Sequence, residues 1–228
     1  MINLINKILK VFDDNHLWND GVELIGSWCF LLYQKHFDVK KYPFRTMDID
    51  FLIPNPFKTT KKIDLTGLLE ELGFKVSFNS DGSIFLWNTE LKIEFITAQK
   101  GRGQEKAIEI KGLSLKAIPL RYMDILLENP VKVIEDGITV LIPNPAAFAL
   151  HKLLISERRK NNEKRSKDIE QALLVLEAIK LDDALKIYRA IPKPWKKSIL
   201  KTLEKSEKQF FLHKHIIQKV FSTLQSSE

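Results

Sequence analysis

The sequence predicts an α+β protein in which a mixed β-sheet core, flanked by helices, is followed by a C-terminal helical bundle. Short alternating apolar runs separated by turn residues occupy residues 22–142 and indicate strands. From Ala146 onward, just after Pro143-Asn144-Pro145, apolar residues recur with helical spacing. We therefore expect two domains, at residues 1–145 and 146–228.

The first part of the chain is predicted to alternate helices and strands. Apolar residues on one side of residues 2–17 indicate an amphipathic helix, and Gly73 ends a later helix. The expected elements are a helix at 2–17, a strand at 22–25, a helix at 27–37, a strand at 47–53 and a helix at 64–72.

Strands dominate the middle of the chain. Asp136-Gly137 is a strong turn signal and predicts a hairpin. The expected strands are 74–78, 84–87, 91–97, 108–118 with Gly112 as a bulge, 131–134 and 138–142, with a loop at 99–104 and a helix at 121–128. The C-terminal helices are expected at 146–160, 164–179, 182–190, 194–205 and 208–224.

Charge is distributed unevenly along the chain, whose formal net charge is +7. Residues 1–145 carry 18 Lys and Arg against 19 Asp and Glu, whereas residues 146–228 carry 18 against 10. The basic C-terminal part favours an anionic partner, either a triphosphate or a nucleic acid backbone. The alternative is that these lysines lie on solvated helix faces.

The composition indicates a cytoplasmic protein that does not enter a membrane. No apolar run approaches the ~20 residues of a membrane span, and the N-terminus lacks the pattern of a signal peptide. The single cysteine, Cys29, lies in an apolar segment and is expected to be a small buried side chain. The sequence does not indicate an oligomeric state.

Two aspartates stand out in the strand at 47–53. Side chains alternate along a strand, so Asp48 and Asp50 lie on one face while Ile49 and Phe51 point into the core. Adjacent carboxylates repel each other unless a cation lies between them. Mg²⁺ is a natural cation for such a site, and a nucleotide phosphate is its natural partner.

A third acid and a glycine complete the candidate site. If the strand containing Glu94 lies beside that of Asp48, three carboxylates surround one point, as in sites where two metal ions assist displacement at phosphorus. Upstream, Gly26-Ser27 precedes a helix, and a helix N-terminus with a glycine can approach a phosphate closely. Ser27 could equally be a simple N-cap.

The order of Gly-Ser, a helix, Asp-x-Asp and a later acid resembles the nucleotidyltransferase superfamily with the DNA polymerase β-type fold. The tract 45–51, His151-Lys152 and Lys167-Asp168 look like the bacterial branch that includes the AbiEii-type toxins. The resemblance covers about residues 20–180. By this resemblance, residues 1–145 are a nucleotidyltransferase-fold catalytic domain and residues 146–228 a basic helical domain.

The resemblance also implies roles for individual residues. Asp48 and Asp50 would hold Mg²⁺, with Mn²⁺ as an alternative, and Glu94 would complete the metal site and orient or deprotonate the attacking hydroxyl. Gly26 and Ser27 would contact the triphosphate.

The same resemblance assigns cations to the nucleotide. Lys152 and Lys167 would neutralise the triphosphate, and Asp168 would orient Lys152 or the acceptor. Arg45 would either shield Asp48 or touch the substrate, and Arg158 would be either a phosphate ligand or part of a solvated turn.

The expected reaction is metal-dependent transfer of a nucleoside monophosphate from a triphosphate such as ATP to a hydroxyl, with release of pyrophosphate. The acceptor could be an RNA 3′ end, a protein or a small molecule such as an aminoglycoside, and the basic C-terminal part tilts the choice toward RNA. Three alternatives are a catalytically inactive relative that binds nucleotide or RNA, the toxin of a toxin–antitoxin pair, and a glycosyltransferase that uses Asp-x-Asp. The sequence shows no Walker-type loop and no histidine set typical of a metal site.

Overall fold

The structure, a computed structural model, describes residues 2–43, 46–101 and 106–227. It contains a mixed sheet, helices among its strands and a helical C-terminal region, so the predicted α+β class is confirmed.

The chain divides into two compact units. The first comprises Met1–Phe30 and Phe44–Pro143 and contains the strands. The second comprises Leu31–Pro43 and Asn144–Glu228 and is helical. The division of the chain into functional domains at residue 145 stays a prediction.

Short elements make up the first unit. Its helices are α1 (Ile2–Asp14), the start of α2 (Gly26–His36) and α3 (Leu65–Glu70). Its strands are β1 (Glu23–Ile25), β2 (Asp48–Ile53), β3 (Lys75–Phe78), β4 (Ile84–Trp87), β5 (Lys92–Ala98), β6 (Ile108–Ile110), β7 (Leu115–Leu120), β8 (Val131–Glu135) and β9 (Ile138–Ile142).

Seven of these strands form one mixed sheet, in which β1, β2, β5, β4 and β3 are neighbours in that order. The pairs β2–β5 and β5–β7 are parallel, and the other pairs of this sheet are antiparallel. The remaining strands, β8 and β9, form a separate antiparallel hairpin. The central strands β2 and β5 therefore hold their side chains in a register fixed by backbone hydrogen bonds.

One face of the sheet packs into an aromatic core. Phe51 of β2 stacks on Phe12 of α1, with ring centroids 3.9 Å apart, and Phe12 also stacks on Trp18. Phe51 and Phe95, from the paired strands β2 and β5, lie on the same face, with ring centroids 6.3 Å apart. Burial of these side chains accounts for the apolar half of the alternation in both strands.

Two predicted elements of the first unit were wrong. Residues 108–118 form two antiparallel strands, because a short 3₁₀ helix at Lys111–Leu113 and a left-handed Ser114 (φ 55°) turn the chain back. Gly112 lies in that turn, where an added Cβ would be 2.7 Å from Thr59. Residues 121–128 form only a 3₁₀ turn at Met123–Ile125, because the left-handed Tyr122 (φ 71°) precedes it.

The second unit contains the helices expected after residue 146, with shifted ends. The helices are α4 (Pro145–Ser156), α5 (Asn162–Ala178), α6 (Leu181–Ala190), α7 (Lys193–Gln209) and α8 (Lys214–Gln225). Asn144 caps α4 by accepting a hydrogen bond from the backbone N–H of Ala146 at 2.9 Å. Almost every residue of α4 is buried, which explains its nearly continuous apolar sequence.

The structure bears on two further expectations. Cys29 is fully buried, as predicted. Within residues 2–43, 46–101 and 106–227, no helix has the length and apolar character needed to cross a membrane.

Candidate active site

Strand β2 carries Asp48 and Asp50 on the face opposite the aromatic core. Ile49 and Phe51 are fully buried, whereas Asp50 is half-buried and Asp48 is exposed. This alternation follows from the geometry of a strand with one buried face. Both aspartates are therefore available on one side of the sheet.

Strand β5 brings Glu94 beside them. The two strands are parallel, and their register pairs Asp50 with Glu94 and Asp48 with Lys92. Residues paired across neighbouring strands point to the same face, and such strands lie about 4.8 Å apart. Asp48, Asp50 and Glu94 thus share one face of the sheet.

Lys92 supplies a cation to this group of acids. Its Nζ lies 2.6 Å from Oε1 of Glu94, and both side chains are partly exposed. Among the residues that the structure describes, no three or more His, Cys, Asp or Glu side chains are grouped closely enough to hold a metal ion. A metal site made of Asp48, Asp50 and Glu94 therefore stays a prediction.

Gly26 lies directly against Asp50. Strand β1 pairs with β2 so that Ile25 is opposite Asp50, and helix α2 begins at the next residue. Gly26 has a φ of +70°, and a Cβ at this position would overlap the Oδ2 of Asp50. Only glycine meets both conditions without strain.

The N-terminus of α2 therefore lies beside the aspartates. Ser27, half-buried, is in the first turn of the helix, which begins one residue earlier than predicted. The N-terminus of a helix presents unpaired N–H groups and a partial positive charge, which suits a carboxylate or a phosphate. This face thus combines acids with an anion-binding element.

The donor set fits a divalent cation in its chemistry. Mg²⁺ prefers carboxylate oxygens and keeps several water ligands. Asp50 and Glu94 are adjacent in register, and Asp48 is two residues along the same strand. Glu94 would have to exchange its contact with Lys92 for one with the metal.

A fourth acid on this face was not predicted. Glu23 of β1 is paired with Leu52, two residues beyond Asp50, and is fully buried. Neither carboxylate oxygen has a hydrogen-bond partner within the described part of the chain. Burial raises the pKa of Glu23 to about 9, so this side chain is neutral at pH 7.

In the second unit, Lys152 and Asp168 form a buried ion pair. Nζ of Lys152 is 2.5 Å from Oδ1 of Asp168, and Nε of Arg159 donates to Oδ2 of the same carboxylate at 2.7 Å. Burial acts to raise the pKa of Asp168, but Lys152 and Arg159 outweigh it and hold that pKa below its ordinary value. Asp168 is therefore a carboxylate that orients Lys152 within the helical unit.

The remaining predicted ligands have diverse surroundings. Lys167 is half-buried on α5, and Arg158 is exposed in the turn after α4. Beside Lys152, His151 is buried, and burial together with the charge of Lys152 lowers its pKa to about 3. Arg45 lies outside the described residues.

Lys92 and Glu23 were missed at the level of sequence. The i, i+2 spacing of Lys92 and Glu94 was a usable signal, because residues at that spacing share a strand face. Glu23 carried no such signal, since its burial depends on the elements packed around β1.

Comparison with known proteins relates this geometry to one family. A family model described as nucleotidyltransferase matches residues 3–196, more than half of the chain. No curated protein matches.

Several solved structures are similar. An antigenic nucleotidyltransferase-like protein from Paracoccidioides brasiliensis has a TM-score of 0.51 and 13% identity, over 94% of this chain and 92% of that chain. The solution structure of the antibiotic-resistance factor ANT(2″)-Ia has a TM-score of 0.48 and 16% identity, over 91% of this chain and 97% of that chain. The crystal structure of ANT(2″)-Ia in complex with adenylyl-2″-tobramycin has a TM-score of 0.46 and 14% identity, over 82% of this chain and 93% of that chain. At 13% identity, the first likeness shows a shared fold.

Proposed function

Because the chain belongs to the nucleotidyltransferase family, we propose that it transfers a nucleoside monophosphate from a nucleoside triphosphate to a hydroxyl acceptor, with release of pyrophosphate. The family makes the chain an enzyme of this class and implies a nucleoside triphosphate as substrate. The residues proposed to act on the substrate lie on β2, β5 and the start of α2.

The observation that carries the proposal is the position of Asp50. Its carboxylate lies between Glu94, its partner in the parallel register, and Gly26, the first residue of α2. Carboxylates thus adjoin a helix N-terminus that can receive a phosphate. This is the combination that transfer at phosphorus requires.

In this proposal, Asp48, Asp50 and Glu94 hold Mg²⁺ or Mn²⁺. The metal, when bound, neutralises charge on the phosphoryl oxygens. Backbone N–H groups at Gly26, Ser27 and the following turn bind the triphosphate at the N-terminus of α2. The missing side chain at Gly26 leaves room for the carboxylate of Asp50 beside that turn. Glu94 also orients the attacking hydroxyl and accepts its proton.

On the family resemblance alone, Lys167 and Arg158 are proposed to balance the triphosphate charge. Lys167 is half-buried and Arg158 is exposed. Lys152 is already paired with Asp168, so a phosphate would have to share its ammonium group with that carboxylate. Arg45 is proposed on the resemblance alone.

The test is transfer of label from each α-labelled nucleoside triphosphate, with Mg²⁺, to total RNA or lysate protein. We expect transfer by the unmodified chain and none by Asp50→Asn, with the circular dichroism of the fold retained. Asp124→Asn, which removes an exposed acid from the same unit, is the matched control and should transfer normally. Full transfer by Asp50→Asn would remove Asp50 from the site. No transfer to RNA or protein, together with no Mg²⁺-dependent consumption of triphosphate in whole lysate, would favour the inactive, nucleotide-binding alternative.

A further inference from the structure

The acid-bearing face of the sheet continues across two more strands. Because β5 pairs with β4, and β4 with β3, side chains in register line up in rows across the sheet. One row is formed by Asp50, Glu94, Phe85 and Ser77. The next row is formed by Asp48, Lys92, Trp87 and Lys75.

The outer part of these rows is aromatic and basic. We call Phe85, Trp87, Lys75 and Lys92 the aromatic–lysine surface. Nζ of Lys92 lies 4.5 Å from the centre of the Phe85 ring, and Nζ of Lys75 lies 6.0 Å from that of Trp87. Both lysines are thus held over aromatic rings, where cation–π attraction stabilises them.

The indole of Trp87 is exposed and has a fixed orientation. Trp87 is 41% exposed, although a large apolar side chain is usually covered in a soluble protein. Its Nε1 donates a hydrogen bond to Oγ of Ser77 at 2.9 Å. A ring that is already oriented loses little conformational entropy when another ring stacks on it.

The chemistry of this surface selects its occupant. Exposed aromatic rings with interleaved lysines bind single-stranded nucleic acid, because bases stack on the rings and the phosphates meet the cations. Here the exposed indole of Trp87 provides a face on which a base can stack, and Lys75 provides a cation beside it. Trp87 is two strands from Asp48, or about 10 Å at ordinary strand spacing, which is within reach of a strand whose end lies at the acids.

We infer that the aromatic–lysine surface binds the single-stranded 3′ end of an RNA and delivers its terminal hydroxyl to Asp48, Asp50 and Glu94. This inference rests on the proposed function and names its acceptor. A base near the 3′ end stacks on Trp87, and Lys75 neutralises an adjoining phosphate.

Another basic surface in the same unit is the main competitor. Lys62, Lys111 and Lys116, with Glu109, line a cavity of about 470 Å³ near the start of β4 and β7. It contains no aromatic side chain, so it offers phosphate contacts without stacking. Dependence of binding on stacking therefore separates the two surfaces.

The test is fluorescence anisotropy of a labelled 12-nucleotide single-stranded RNA, without metal or triphosphate, against the full chain. Trp87→Ala should weaken binding about tenfold or more, which is the effect of losing one stacked base. Trp87→Phe, which retains a ring, should recover most of the affinity. Lys75→Met should reduce the salt dependence by about 0.7 in the slope of log K against log salt.

Phe78→Ala is the matched control. Phe78 lies on β3 and is 68% exposed, but it is one residue from Ser77 and therefore on the other face of the strand. Its loss should leave RNA binding unchanged. An equal loss with Phe78→Ala, or dependence on Lys116 instead of Trp87, would overturn the inference.

The two proposals fail separately. Binding of a triphosphate with Mg²⁺ by the unmodified chain, measured without RNA, reports only on the proposed function. If label is transferred to another acceptor and the RNA does not bind, the acceptor is wrong and the nucleotidyl transfer proposal stands. If the RNA binds through Trp87 and no label is ever transferred, the surface is correct and the transfer proposal fails.

Discussion

Asp50 occupies the space that a side chain at Gly26 would fill. The carboxylate of Asp50 lies against the α-carbon of Gly26, and the chain there has a left-handed φ of +70°. The start of α2 and the central acid of β2 are thus in direct contact. Gly26 therefore cannot take a side chain without displacing the carboxylate of Asp50.

The first prediction tests this contact with Gly26→Ala. We expect a left-handed alanine to cost about 1–2 kcal/mol, and displacement of Asp50 to cost about 1–3 kcal/mol more in the free energy of unfolding. Gly82→Ala is the control, because Gly82 has a φ of +86° with nothing within 4 Å of an added Cβ. Urea denaturation measures the free energy of unfolding of both variants. Equal destabilisation of the two would show that Asp50 tolerates the methyl group.

The second prediction concerns Lys92. The ammonium group of Lys92 competes with a metal for Glu94, so Lys92→Met should tighten Mg²⁺ binding by up to about fivefold, the range of a partly exposed ion pair. Titration calorimetry with Mg²⁺, in the presence of a non-hydrolysable triphosphate, measures the affinity for the metal. Lys75→Met, in the same row but three strands from β2, should leave the affinity unchanged. Unchanged or weaker binding by Lys92→Met would mean that Lys92 does not compete with the metal for Glu94.

The third prediction concerns the buried ion pair of the helical unit. Asp168→Asn should lower the free energy of unfolding by about 3–5 kcal/mol, because it leaves Lys152 buried without its counter-ion. Asp183→Asn breaks an exposed pair with Lys186 and should cost less than about 1 kcal/mol. Chemical denaturation of both variants checks the difference, and similar small losses would show that Lys152 finds another partner or reaches water.

The fourth prediction is a pH dependence caused by Glu23. Its pKa is raised from 4.5 to about 9, so its contribution to stability is complete below pH 4.5 and is lost as pH rises toward 9. The advantage of Glu23→Gln over the unmodified chain should therefore grow by up to about 1.4 kcal/mol per pH unit across that range. Urea denaturation at pH 5, 7 and 9 measures the advantage. Glu109→Gln, at an exposed acid, should show no such trend.

The sequence was most informative where local pattern and burial agree. Alternation alone predicted β2 and β5, because Ile49 and Phe95 must be buried and the acids between them must then face the other way. Sequence reasoning missed the turn at Ser114 and the break at Tyr122, since left-handed residues other than glycine carry weak local signals.

The rows of side chains across the sheet were beyond prediction for a different reason. Lys75, Trp87 and Lys92 come from three strands, and their alignment depends on long-range pairing that periodicity does not specify. The pairing of Lys152 with Asp168 was anticipated only through a family resemblance, because the two residues lie on different helices.

The in-register pairing of β2 with β5 links folding to the proposed active site in this protein. Sliding one strand by a single position would bring Phe95 out into solvent and turn Glu94 inward, so a misaligned sheet would lose its apolar core together with its acidic face. Selection for a stable interior would thus preserve the spacing of the carboxylates even while surface loops diverge.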